Sequence, residues 1–134
     1  MSKCCDILVV DDQQGVRRLL QEVLTEQGYE VVTAANGIKA LDLLSRLKPR
    51  AVILDMKMPG LDGLETLKKL RERNSEIPVI MMTAYGELDT EERFQQYGVR
   101  QFLVKPFDLN DVCFLIKKVL EPAEKPGNFQ NIGR

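Results

Sequence analysis

Polar side chains that could do chemistry come directly after four short apolar segments of this sequence. They are two adjacent carboxylates, a third carboxylate, a hydroxyl and an ammonium: Asp11 and Asp12, Asp55, Thr83 and Lys105. Carboxylates that meet at one place repel one another and raise one another's pKa unless a cation neutralises them. The sequence has no histidine, and oxygen ligands are those that Mg²⁺ or Mn²⁺ prefer. The three aspartates therefore indicate a site for one of these ions.

The same residues could carry out phosphoryl transfer. Asp55 stands alone after its apolar segment and can act as a nucleophile towards phosphorus, which would give an aspartyl phosphate. Lys105 offers a point charge for a phosphoryl group, and Thr83 offers a hydroxyl donor. Phosphoryl transfer asks a protein mainly for in-line positioning and charge neutralisation, and such groups can provide both.

Each of these residues also has an ordinary interpretation when it is taken singly. An aspartate after a strand is often the N-cap of the next helix, which applies to Asp11 and Asp12. A threonine such as Thr83 commonly bonds the backbone at a strand end, and a lysine such as Lys105 is commonly a solvated surface charge. The coincidence of all of them at corresponding positions favours the functional interpretation.

Five alternations of strand and helix would bring these residues together. The apolar runs predict strands at 7–10, 30–34, 51–54, 78–82 and 102–104, with Pro49 just before the third strand. Helical periodicity and capping residues predict helices at 16–24, 36–47, 62–70, 87–97 and 108–120. This rhythm predicts an α/β fold, with a single doubly wound, five-stranded parallel sheet of flavodoxin-like order 2-1-3-4-5 and five helices.

Ligands of such sheets bind beyond the carboxyl ends of the strands, next to the point where the strand order reverses. Here that point lies between strands 1 and 3, where the aspartates are expected. The predicted domain covers residues 1–120, and residues 121–134 form a polar tail that we expect to be flexible.

The composition excludes several classes of function. Without histidine the chain cannot form Ser-His-Asp or Cys-His nucleophile systems, or a zinc site ligated by histidine. Nineteen basic and twenty acidic residues give a net charge of −1, which argues against direct binding to nucleic acid or to an anionic membrane. No apolar run is long enough to span a bilayer, and three cysteines without metal-site spacing are typical of the cytoplasm.

Four segments carry a family resemblance: VVDD at 9–12, ILDMKMPGLDG at 53–63, MTA at 82–84 and KPF at 105–107. Over residues 5–120 they resemble the receiver domain of bacterial two-component response regulators, the CheY-like domains. The sequence at 13–17, 26–29 and 83–89 is most similar to the stand-alone regulators of sporulation phosphorelays.

The resemblance implies a phosphoacceptor and a metal site. Asp55 would accept the phosphoryl group, while Asp11, Asp12, Asp55 and the backbone carbonyl of Lys57 would bind Mg²⁺. The side chains of Lys57 and Tyr85 would flank the mouth of the site and limit the attack of water on the acyl phosphate. Such a domain is phosphotransferase-like, because it promotes its own Mg²⁺-dependent phosphorylation.

The resemblance also implies residues that respond to the phosphoryl group. Thr83 would move onto the phosphoryl oxygens, and Lys105 would pair with them. Phe102 would be the aromatic switch residue together with Thr83. The Lys105–Pro106 peptide bond would be cis, a geometry seldom found outside bonds to proline.

Partners that carry histidine are implied, because such domains exchange aspartyl phosphate with a phosphohistidine that this chain cannot supply. We expect a sensor histidine kinase, and with it a histidine phosphotransferase and a phosphatase. The expected docking face surrounds the site: Gln13, Gly15, Val16, Pro106 and Phe107. Val16 and Phe107 should be partly exposed, whereas Leu19 should pack in the core.

Two other functions compete with a single-domain phosphorelay intermediate. The first is the N-terminal receiver domain of a longer DNA-binding transcriptional regulator. A reading frame that stops after Arg134 would decide against it, because a fourteen-residue tail has no room for a helix-turn-helix. The second is a haloacid-dehalogenase-like phosphatase, which is disfavoured because its second aspartate is expected at the position of Lys57.

Overall fold

Five strands alternate with five helices in the computed structural model, which describes residues 3–73, 76–84 and 91–121. The strands are β1 (Lys3–Val10), β2 (Val31–Ala34), β3 (Leu47–Asp55), β4 (Val79–Ala84) and β5 (Gln101–Lys105). The helices are α1 (Gln14–Glu26), α2 (Gly37–Leu44), α3 (Gly63–Glu72), α4 (Glu91–Gln95) and α5 (Leu109–Leu120). Neighbouring strands are parallel in the order β2-β1-β3-β4-β5, which confirms the predicted fold.

Apolar side chains cover both faces of the sheet. Along β1, Ile7 and Val9 pack towards α1 and α5, whereas Leu8 and Val10 pack towards α2, α3 and α4. All four side chains are buried. A strand that is buried on both faces needs apolar residues without alternation, which explains the continuous apolar runs of the sequence.

Capping residues fix where three of the helices begin. The Asn36 side chain accepts a hydrogen bond of 2.8 Å from the backbone N–H three residues on, at the start of α2. At the start of α3, Asp62 and Glu65 form the predicted capping box, in which each side chain accepts from the other's backbone N–H. At the start of α5, the Asp108 side chain accepts a hydrogen bond of 2.9 Å from the Asn110 N–H. The three predicted caps are therefore confirmed.

The predictions for the segment before the third strand were wrong in two details. Helix α2 ends at Leu44, and Leu47, which was expected in that helix, opens β3 and pairs with Lys3. Pro49 lies inside β3 rather than before it. A proline is tolerated there because β3 pairs with β4 only from Val52 onwards, so its missing N–H interrupts no bond on that side.

The apolar face of α1 is narrower than its sequence pattern suggests. Leu20 and Leu24 are fully buried, but Leu19 is 41% exposed, so the expectation that it packs in the core was wrong. Leu19 stands at the edge of a stripe whose centre contacts the sheet. Val16 and Phe107 are partly exposed, as predicted.

Some predicted features lie outside the described residues. They are the first turn of the fourth helix, at 87–90, and all but the first residue of the tail, at 122–134. Within the described ranges, no helix is both long enough and apolar enough to cross a membrane.

Candidate functional site

The residues selected from the sequence meet at the carboxyl edge of the sheet. Asp11 and Asp12 follow β1, while Asp55 and Lys105 are the last residues of β3 and β5. Thr83 was expected after the fourth strand, but it lies inside β4, one residue before its end. The reason is that pairing between β4 and β5 continues past Thr83 to the end of both strands.

Three carboxylates form the acidic part of the site. One oxygen from each of Asp11, Asp12 and Asp55 lies within 4.8 Å of the other two. Asp11 is completely buried and Asp55 is nearly so, whereas Asp12 is exposed. The cluster is therefore open to solvent on the side of Asp12 and closed on the side of Asp11.

Lys105 bridges the two buried carboxylates. Its Nζ atom lies 2.9 Å from Oδ2 of Asp11 and 3.5 Å from Oδ1 of Asp55. Desolvation would lower the pKa of Lys105, but the hydrogen bond to Asp11 and the charge of Asp55 outweigh it and raise that pKa. Lys105 is thus a charged member of the site, and its ordinary interpretation as a solvated surface charge was wrong.

The negative charges are only partly neutralised. Burial and the neighbouring charge of Asp11 raise the pKa of Asp55 from 3.8 to about 6. Lys105 and a hydrogen bond from the backbone N–H of Lys57 act in the opposite direction and do not cancel that increase. The predicted repulsion among the carboxylates is therefore present at Asp55.

The donor atoms suit a hard divalent cation. All three side chains offer carboxylate oxygens, and the cluster contains neither imidazole nor thiolate. A divalent ion beside Asp55 would relieve the repulsion that one ammonium leaves in place. The charge favours a divalent ion, and the all-oxygen donor set favours Mg²⁺ or Mn²⁺ over zinc or copper.

A cleft of about 260 Å³ is lined by Asp55. Asp12, Gln13, Lys57, Ala84 and Lys105 are also among its lining residues. The cleft is therefore lined both by carboxylates, from Asp12 and Asp55, and by the Lys105 ammonium. Tyr85, which we expected at the mouth, lies outside the described residues.

Hydrogen bonds between side chains and backbone atoms hold the loop after β1 in position. The Gln13 N–H donates to Oδ1 of Asp11 at 2.8 Å, and Arg17 Nη1 donates to the Asp11 carbonyl at 2.9 Å. The sequence analysis did not identify Arg17. Its only signal is a cation in the first turn of the helix that follows the two aspartates.

Residues 7–117 match the family described as the response regulator receiver domain. The chain belongs to that family. Sporulation initiation phosphotransferase F of Bacillus subtilis (strain 168) is 46% identical to this receiver domain over 114 residues, which cover 85% of this chain and 92% of that protein. The DNA-binding transcriptional regulator NtrC of Escherichia coli (strain K12) is 34% identical over 127 residues, which cover 92% of this chain and only 27% of that regulator.

Solved structures agree with this assignment. The receiver domain of NtrX from Brucella abortus superposes with a TM-score of 0.82 at 33% identity, and the alignment covers 88% of this chain and all of that one. The chemotaxis protein CheY4 of Vibrio cholerae gives a TM-score of 0.81 at 29% identity, with 90% and 100% coverage. Family membership disfavours the phosphatase alternative further.

The residues around the cleft differ in exposure in this receiver domain. In the expected docking face, Gln13, Gly15 and Pro106 are exposed. The Lys105–Pro106 bond is cis, as predicted.

The two expected switch residues also differ in exposure. Thr83 is buried, whereas Phe102 is partly exposed. The ring centroid of Phe102 lies 6.3 Å from that of Phe94 on α4, so the expected switch residue contacts a helix.

Proposed function

We propose that this receiver domain accepts a phosphoryl group on Asp55 from a phosphohistidine of a sensor histidine kinase. It then relays the group or signals through protein contact. The observation that carries the proposal is the position of the Lys105 ammonium, within 3.5 Å of carboxylate oxygens of both Asp11 and Asp55. A phosphoryl group on Asp55 would stand beside a cation that is already in place.

The chemistry is an in-line displacement at phosphorus. A carboxylate oxygen of Asp55 forms the new O–P bond while the P–N bond to the donor imidazole breaks, and the imidazole leaves with the electron pair. Lys105 pairs with the phosphoryl oxygens, and Thr83 donates a hydrogen bond to them from its hydroxyl. Lys57, exposed at the edge of the cleft, slows the attack of water on the acyl phosphate.

Asp11, Asp12, Asp55 and the backbone carbonyl of Lys57 would hold Mg²⁺ or Mn²⁺. When bound, the ion neutralises charge on the phosphoryl oxygens and on the carboxylates. The acidic cluster and the raised pKa of Asp55 support this assignment.

The partners must supply the histidines, since the chain has none. A sensor kinase, a histidine phosphotransferase and a phosphatase would dock on one face next to the cleft: Gln13, Gly15, Val16, Pro106 and Phe107. Two partly exposed apolar residues, Val16 and Phe107, and the exposed Leu19 support a docking role for this face. We place this exchange in the cytoplasm, where sensor kinases present their phosphohistidines.

The pathway we propose is a phosphorelay, in line with the name of the relative from Bacillus subtilis, sporulation initiation phosphotransferase F. A second candidate is the N-terminal receiver of a longer DNA-binding transcriptional regulator. Similarity to NtrC favours it, because the match covers only 27% of that regulator. The reading frame after Arg134 discriminates between the two.

The test of the proposed chemistry is an intact-mass measurement after incubation with Mg²⁺ and acetyl phosphate. We expect one added phosphoryl group, which is absent in Asp55→Asn and in the presence of EDTA. Asp42→Asn is the matched control, because it removes an exposed aspartate of α2 and should leave labelling intact. Labelling that persists in Asp55→Asn would reject Asp55 as the acceptor.

A further inference from the structure

The Arg17 side chain reaches back over six residues to the carbonyl oxygen of Asp11. Its Nη1 atom donates a hydrogen bond of 2.9 Å to that oxygen. Side chains of a helix point towards its N-terminus, so a residue in the first turn of α1 is well placed to contact the loop before it. The contact joins α1 directly to the backbone of the loop after β1 that contains Asp11 and Asp12.

Every polar atom of Asp11 is engaged, and each by a different part of the fold. The N–H donates to Ala34 of β2 at 3.2 Å, Oδ1 accepts from the Gln13 N–H, and Oδ2 accepts from Lys105 of β5. The carbonyl oxygen accepts from Arg17. Because Asp11 is completely buried, a carbonyl left without that partner would cost free energy, and the loop would shift to satisfy it.

The position of the Asp12 side chain depends on the loop backbone more than that of Asp11 does. Its side chain is exposed and makes no hydrogen bond within the described part of the chain. Only the backbone from Asp11 to Gln13 therefore fixes the position from which the Asp12 side chain extends. Gln13, the N-cap of α1, makes no side-chain capping bond that would fix this backbone independently.

We propose that Arg17 is a positioning residue that holds the loop of Asp11 and Asp12 in the geometry for binding a divalent cation. This inference rests on the proposed Mg²⁺ site. Arg17 does not touch the ion; it acts through the peptide unit between the two carboxylates. Partners of metal ligands in other proteins commonly change metal affinity about tenfold or more when they are removed.

The charge of Arg17 and its hydrogen bond to the loop should have opposite effects on Mg²⁺ affinity. A guanidinium close to the cluster repels a divalent cation, so removal of its charge alone would tighten Mg²⁺ binding. Loss of the hydrogen bond would loosen the loop and weaken binding. Arg18 is the matched control, because it is the next residue of α1 and its exposed side chain makes no ion pair or hydrogen bond with another described residue.

The experiment is a Mg²⁺ titration of wild type, Arg17→Gln, Arg17→Lys and Arg18→Gln, followed by amide NMR. We expect Arg17→Gln to weaken Mg²⁺ binding about tenfold, as loss of a ligand's partner does. Arg18→Gln should stay within about twofold of wild type or bind more tightly, as screened surface charge allows. The amide of Arg17→Gln sits on a side chain two bonds too short to reach the Asp11 carbonyl. The longer side chain of Arg17→Lys keeps a donor closer to that oxygen and should fall between wild type and Arg17→Gln. Equal or tighter binding by Arg17→Gln would overturn the inference.

A metal-free measurement separates this inference from the proposed metal site. In EDTA, the Gln13 amide, which is bonded to Asp11, should exchange faster with solvent in Arg17→Gln and not in Arg18→Gln. Exchange at Ile53 in the core of β3 reports global unfolding and should rise less than exchange at Gln13, because the loss is concentrated in the loop. If wild type fails to bind Mg²⁺, the metal site is rejected and Gln13 exchange alone decides the role of Arg17; unchanged exchange there overturns it.

Discussion

The Lys105 ammonium lies 2.9 Å from Oδ2 of Asp11, although ninety-four residues separate the two along the chain. The contact spans the carboxyl edge of the sheet, from the end of β5 to the loop after β1. The strand that ends in Asp55 lies between them, and Asp55 is 3.5 Å from the same ammonium. One lysine therefore serves two buried carboxylates, and this shortage of positive charge has measurable consequences.

Removal of the Asp55 charge should stabilise the metal-free protein. In EDTA at pH 7, Asp55→Asn should raise the free energy of unfolding by about 1 kcal/mol. Burial of the charge and repulsion from Asp11 raise the pKa of Asp55 more than Lys105 lowers it, and solvent screening reduces the effect on stability. Urea unfolding measures the difference. Asp42→Asn, at an exposed ion pair of α2, should change stability by less than about 0.5 kcal/mol. A less stable Asp55→Asn would show that Asp55 is favourably paired.

The effect of Asp55 on stability should depend on pH. The pKa of Asp55 is about 6 in the folded protein and close to 3.8 when unfolded, so the native state holds its proton more tightly. Stability from this group therefore falls as pH rises from about 4 to about 6 and is constant above that range. Measured against pH in EDTA, the advantage of Asp55→Asn over wild type should disappear near pH 4. An advantage that persists there would require another cause.

Binding of Mg²⁺ should weaken in acid for the same reason. A protonated Asp55 cannot ligate, so protons and the cation compete below about pH 6. Calorimetric titration at pH 5 and pH 7 should show tighter binding at pH 7 and proton release at pH 5. Equal affinities at the two pH values would mean that Asp55 is not a ligand.

Gly63 allows the backbone of Asp55 and Met56 to pack against the start of α3. A Cβ atom at this position would meet the carbonyl oxygen of Asp55 and lie 2.7 Å from the Cα atom of Met56. Because these neighbours are backbone atoms, Gly63→Ala should destabilise the fold by about 2 kcal/mol or more. Gly15→Ala, where a Cβ atom meets nothing within 4 Å, should be neutral or stabilising by up to about 1 kcal/mol. Thermal unfolding of both variants checks this.

The docking face can be separated from the chemistry by substitution of apolar residues. Leu19→Ser and Phe107→Ser should slow phosphoryl transfer from a histidine kinase, because they remove apolar contact area next to the cleft. Labelling by acetyl phosphate should be unchanged. Ile38→Ser on α2 is the control, since Ile38 is 69% exposed and lies on a different helix from Leu19. The face would be rejected if all three variants received phosphate at the wild-type rate.

Most of the fold could be predicted from apolar runs and capping residues. Strands that are buried on both faces leave a continuous apolar signal, and Asn36, Asp62 and Asp108 each place a helix start through a local bond. Leu47 could not be assigned in this way. Its apolar spacing fits a helix as well as a strand, and pairing with β1, far away in the sequence, decides between them.

The members of the site could be predicted because strand ends converge in a parallel sheet, but their mutual bonds could not. That Lys105 would contact both Asp11 and Asp55 depends on side-chain directions that periodicity does not contain. Arg17 was missed because its partner is a backbone carbonyl, which has no sequence signature. The exposure of Leu19 depends on how α1 is rotated against the sheet.

The most direct test of Asp55 as the acceptor locates the phosphoryl group after transfer from a phosphorylated histidine kinase. Borohydride reduces an aspartyl phosphate to homoserine, which peptide mass spectrometry can assign to one position. We predict reduction at position 55 alone, and none when Mg²⁺ is removed with EDTA. Reduction at Asp11 or Asp12, or a phosphorylated protein in which Asp55 remains intact, would contradict the assignment of Asp55 as the acceptor.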